Sequence, residues 1–204
     1  MPSATLVITL LLLMVVIAAD KIVRRKVAGH IDALYSAGNG HELLDYLGGN
    51  LVKYLYPSFN RAFMRVNAYE LTGDLEGEER ELTLLLSERR LDKKQRQATV
   101  LRGFEFYLKE RKNKKARELL NEIEGWNDFP SKEMYSMLYE VIANKSANYI
   151  QVCESKLKNA VGADRLQLLY LLSKQYENIG SMEMAKEYEK QSFGLLGELR
   201  CGKA

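Results

Sequence analysis

The chain has 204 residues, 47% hydrophobic and 28% charged, with 30 Lys and Arg against 27 Asp and Glu. So much aliphatic surface excludes a disordered tail, and the length suits one compact domain or one short repeat array. A net charge of +3 gives no reason by itself to expect a nucleic-acid partner. Cys153 and Cys201 lie far apart, with no CxxC and no His at metal-ligand spacing. They imply neither a disulfide framework nor a zinc site, and their redox state stays open.

From Met1 to Ala19 no side chain is charged, and Leu6–Ala19 is built of Leu, Ile, Val, Met and Ala apart from Thr9. As a helix, this leader reaches roughly 28 Å, about the thickness of a hydrocarbon core. A helix in a protein core would show polar positions every three or four residues, and this one has only Thr5 and Thr9. A cleavable signal wants a basic start and small residues before the cut, whereas "MPSAT" has no Lys or Arg and bulky Ile17 precedes Ala18–Ala19. Residues 1–20 are therefore read as a retained single-pass anchor in the lipid bilayer. Lys21, Arg24, Arg25 and Lys26 follow at once, within a basic juxtamembrane segment over 21–30. Positive flanks stay in the cytoplasm, which puts the N-terminus outside and the rest inside, a pattern suited to a bacterial plasma membrane. Each cation near the surface can add about 1 kcal/mol of attraction to anionic headgroups.

Beyond the leader, apolar residues recur at three- and four-residue spacing with almost no alternating run, so the fold class is all-α. Breakers divide the chain into consecutive helix pairs. "SAGNG" (36–40) ends a helix over 22–37 and lets Asn39 help to start one over 41–56. "YPS" opens 58–72, and "TGD" ends it, with Asp74 as N-cap of 75–88. Helices over 93–111 and 113–125 follow, then 131–144 after "NDFPS", 146–160, 163–179 and, beyond "NIGS", 182–197. Five pairs at a period of roughly 34–38 residues are the mark of a short α-solenoid over 22–197, leaving 198–204 as a tail.

"LQLLYLLSKQYENIGSMEMAKEYEKQSF" (166–193) resembles a tetratricopeptide repeat. Leu169, Leu172, Ser173 and Tyr176 stand at the motif's packing and small positions, Gly180 at its turn, and Ala185 where the second helix crosses the first. Upstream the likeness weakens. Tyr69 and Gly73 fit, but Glu78 stands at the small position. Tyr107 and Ala116 fit, but Arg111 replaces the turn glycine. Leu138 and Ala147 fit in the fourth pair, and Leu34 and Gly38 in the first. The resemblance implies a concave groove for a peptide or partner helix, lined by Asn67, Glu70, Glu105, Lys109, Ser136, Tyr139, Tyr170, Lys174 and Asn178.

No phosphate loop, nucleophile elbow or metal motif accompanies this pattern, and His30 and His41 sit alone. No enzyme activity and no cofactor is expected. Charge is uneven: seven acids over 70–88 face Arg80 alone, while residues 89–117 hold twelve Lys and Arg against three acids. That basic stretch could face an acidic partner or anionic lipid, or simply coat solvent-facing helix ends. Phe104, Phe106 and Tyr107 interleave with it at a spacing that suits the core. The sequence thus leads to a membrane-anchored interaction scaffold or adaptor. The alternative is an extracytoplasmic or secreted helical-repeat protein in envelope assembly or quality control.

Overall fold

A computed structural model describes the backbone of residues 2–200 and the side chains of 13–197. Its described residues form eleven helices and no strand. In chain order they are α1 (Pro2–Ser36), α2 (Gly40–Leu47), α3 (Asn50–Leu55), α4 (Ser58–Thr72), α5 (Leu75–Ser87) and α6 (Lys93–Lys109). Then come α7 (Asn113–Glu124), α8 (Lys132–Ile142), α9 (Ile150–Leu157), α10 (Gly162–Asn178) and α11 (Met182–Arg200). The all-α class stands. Two expected helices are shorter or divided. The helix expected over 41–56 breaks at Gly48–Gly49, where Gly49 turns to extended backbone and α3 starts afresh. The one expected over 146–160 shrinks to α9. Before it, Ser146 donates its backbone N–H to Glu140 O (3.0 Å) and accepts from Asn148 N–H through its hydroxyl (3.2 Å), turn chemistry that competes with helix.

A regular device separates the paired helices. The first helix of each pair is followed by a residue in the left-handed region: Gly38 (φ 73°), Gly73 (70°), Arg111 (55°), Lys145 (56°) and Gly180 (78°). Successive stops lie 35, 38, 34 and 35 residues apart. Such a stop reverses the chain while returning amides to the last turn, as Asp74 N–H does to Tyr69 O and Ser181 N–H to Tyr176 O. Arg111 keeps the glycine conformation without the glycine, so the fold is consistent with a helical repeat even where the letters have drifted. An L-residue there costs roughly 1–2 kcal/mol. Arg111→Gly should therefore raise unfolding free energy by about 0.5–1 kcal/mol, whereas Gly180→Ala should lower it by about 1–2. Urea denaturation followed by circular dichroism reads both signs.

The chain folds as two compact units, residues 1–99 and 100–204, dividing inside α6. In the first, Val27, Ile31 and Leu34 of α1 meet Leu43 and Leu47 of α2, with Val52, Leu55 and Ala68 completing the core. Here α4 and α5 approach closely because Gly77 has no side chain. A Cβ there would come within 2.5 Å of the Tyr69 ring. Gly77 supplies the clearance expected of position 78, and Glu78 is buried beside it. Asp74 caps α5 as expected, its Oδ1 accepting Gly77 N–H at 2.9 Å.

In the second unit, α8 and α9 close on α10, with Met137, Val141, Cys153, Leu168, Leu171 and Leu172 buried together. Leu169, Ser173 and Ala185, the packing and crossing positions of the last pair, are also buried. Tyr176 stacks on Tyr188 with centroids 5.5 Å apart, and both hydroxyls donate to Glu154 Oε1, at 2.8 and 3.2 Å. Phe104, Phe106 and Tyr107 are core residues, as their spacing predicts.

Among the described residues no helix is long and apolar enough to cross a membrane. The anchor expected at 1–20 rests chiefly on residues 1–12, whose side chains lie outside the described residues, as does Cys201.

Candidate partner groove

The second unit carries a trough of about 680 Å³ between the C-terminal end of α6 and helices α8, α10 and α11. Helix periodicity builds its floor. Leu138 and Ile142 are one turn apart on α8, Leu166 and Tyr170 one turn apart on α10, and Leu108 comes from α6. Phe193 and Leu196 of α11 form one wall, and Phe193 is 66% exposed. A large apolar side chain thus stands exposed beside an open apolar cavity.

The rim is polar and mostly cationic. Lys109, Arg111, Lys145 and Lys174 border the trough, with Glu105 and Glu177 among them. Arg111 and Lys145 reach it from the two left-handed stops that end α6 and α8. Lys174 Nζ bonds Glu177 Oε2 at 2.7 Å. That bond holds the Glu177 carboxyl below its ordinary range, with help from Lys145 and Arg111, and raises the Lys174 ammonium. Tyr135 reaches from α8 towards Glu105, its hydroxyl donating to Oε1 at 3.5 Å. Burial, then the nearby Glu105 charge, pushes the phenol up to about 12.

Of the expected groove residues, the trough gathers Glu105, Lys109, Tyr170 and Lys174. Three others of this unit have different work. Ser136 donates to Glu124 Oε1 at 2.9 Å. Tyr139 is buried, and its hydroxyl donates to Asn113 O at 3.4 Å. Asn178 donates to the Val141 and Ser146 carbonyls at 2.9 and 3.1 Å, tying down the loop after α8. Asn67 and Glu70 lie on α4 of the first unit. The resemblance did not point to Arg111, Lys145 or Phe193. Two occupy left-handed stops after first helices, and Phe193 lies on a second helix where the family's lining is carried by first helices.

The basic stretch partly folds onto nearby rings, two of its own and one on α8. Lys112 Nζ lies 5.8 Å from the Phe106 centroid, Lys115 Nζ 4.9 Å from that of Tyr107, and the Arg117 guanidinium 5.3 Å from that of Tyr139. His30 meets the Tyr46 ring edge-on, and no group of acids, Cys and His suited to a metal occurs among the described residues. Cys153 is buried, and that burial raises its thiol. A buried thiol is a poor nucleophile.

Two tyrosines test this electrostatic picture. Tyr176, hydrogen-bonded to Glu154, is pushed up to about 12, like Tyr135, against an ordinary value of about 10. A raised phenol favours the neutral form in the folded chain. Its contribution is therefore complete below pH ~10 and fades as pH rises through ~12. Burial raises the Tyr170 and Tyr188 phenols as well, so an alkaline absorbance titration should show several late tyrosinates, one of the latest being lost in Tyr176→Phe. Comparison with family models, curated proteins and solved structures gives no match for this chain.

Proposed function

We propose that this protein is a membrane-tethered interaction scaffold of tetratricopeptide-like geometry, whose second unit holds a partner segment in the trough. The trough carries this reading: an apolar floor with a cationic rim fits a peptide or helix presenting large apolar side chains flanked by acids. The anchor draws support from α1. Leu13, Met14, Val15, Val16 and Ile17 are consecutive, cover every side of the helix, and are each 52–66% exposed. A helix that is apolar all round needs a nonaqueous cover. Tethering confines the groove to a surface, so that modest affinity is multiplied by effective concentration. The basic flank 21–26 supports a cytoplasmic repeat domain in this reading.

The test is a photo-crosslinking pull-down from membranes of the full-length protein, with benzoylphenylalanine in place of Phe193. A discrete adduct should form, and Tyr170→Arg, which places a bulky charge in the trough, should reduce it about tenfold. Equal adducts from a probe at exposed Gln151, which is not among the trough's lining, would remove the groove from the account.

A further inference from the structure

We propose that the short helix α3 is a second membrane contact, lying in the headgroup layer beside the end of the α1 apolar run and carrying Leu51 and Tyr54 into an anionic bilayer surface. The inference rests on reading residues 1–20 as a retained span.

Asp20 is the first charged residue after that run. Side chains on a helix lean towards its N-terminus, so Arg24, one turn later, reaches back to the Asp20 level. Its Nε donates to Asp20 Oδ2 at 2.7 Å, while its Nη1 donates to the Leu55 carbonyl at 2.9 Å. One guanidinium thus joins the boundary residue of α1 to the last residue of α3. Arg61 Nε holds the next carbonyl, Tyr56 O, at 3.3 Å.

Helix α3 turns Val52 and Leu55 into the core. Leu51 and Tyr54, three residues apart and so on one face, point outward, 51% and 81% exposed. The headgroup region on each side of a bilayer is roughly 5–7 Å deep, about the height of one helix turn. A group fixed at the Asp20 level therefore falls inside it. Tyrosine is enriched there because its ring is apolar and its hydroxyl wet. Lys21, Arg25, Lys26 and Lys53 are exposed in the same two helices and complement anionic headgroups. With α3 seated as well as α1, the first unit would no longer swivel freely about its anchor.

The experiment uses the full chain in vesicles of phosphatidylcholine and phosphatidylglycerol whose acyl chains are brominated either near the carbonyl or near the methyl end. Tyr54→Trp and Val16→Trp alter exposed positions, and each is read against the native chain, whose single Trp126 sets the baseline. The indole added at position 54 should lose about half its emission to the shallow bromines and little to the deep ones, while the one at 16, about 6 Å further into the bilayer, responds to both sets. If position 16 is quenched and position 54 is not, α3 faces water and the inference falls while the anchor stands. Deep quenching at 54 would also overturn it. No quenching at either position removes the anchor and the inference together.

Discussion

Arg65→Met is expected to lower the stability of the first unit by about 2–4 kcal/mol. Arg65 of α4 pairs through Nη2 with Glu81 Oε1 of α5, and the Glu81 side chain is only 5% exposed. Removing the guanidinium would leave a buried carboxylate without that partner, which costs more than the intact pair contributes. The double variant Arg65→Met/Glu81→Leu should therefore recover most of the loss, because apolar groups of similar volume often replace a buried pair without penalty. Urea midpoints of the two single variants and the double variant form the cycle. A neutral Arg65→Met would mean that the Glu81 carboxylate does not depend on that partner.

Gln175→Ala should cost the second unit about 3–4 kcal/mol, and Gln175→Leu about 1–3. Gln175 is fully buried in α10. Its Oε1 accepts the Tyr149 N–H at 2.8 Å, and its Nε2 donates to Leu171 O at 3.3 Å and to Cys153 Sγ at 3.6 Å. Tyr149 is the N-cap residue of α9, whose own side chain makes no capping bond. A glutamine from another helix thus satisfies an amide at the start of α9. Leucine restores the volume but leaves that amide unpaired; alanine loses both. Loss of amide exchange protection at Tyr149 in both variants would identify the cause. If leucine proved as stable as the native residue, this bond would contribute nothing net.

Helix positions were largely legible because each boundary is a local matter. Pro57, Gly73 with Asp74, and Gly180 act through their own backbone and the adjacent turn, so spacing and breakers locate them. Arg111 and Lys145 were harder. Nothing in an arginine or lysine announces a left-handed backbone; the regular recurrence of stops reveals it only when angles are known. The break of the second helix at Gly48–Gly49 was visible as two glycines, yet apolar periodicity continues through Leu51, Val52 and Leu55, and the pattern alone favours one helix. Gly77 shows the same limit on a finer scale: the clearance expected at 78 belongs to its neighbour.

Of the residues the resemblance implies, those that line the trough come both from the best-kept pair and from a weaker one. Tyr170 and Lys174 face the trough because α10 keeps the expected register, and Glu105 and Lys109 share that side of α6. Ser136, Tyr139 and Asn178 were drawn into local or interhelical hydrogen bonds, a competition no spacing rule records. By itself, the sequence determined the all-helical class, the pairing period and the apolar leader with its basic flank, since periodicity, breakers and charge runs act over a few residues. Only the tertiary structure decided which side chains line the trough, which amide Gln175 serves and which carbonyl Arg24 reaches. Those depend on the close approach of residues far apart in the chain, set by packing rather than by any one residue's preference.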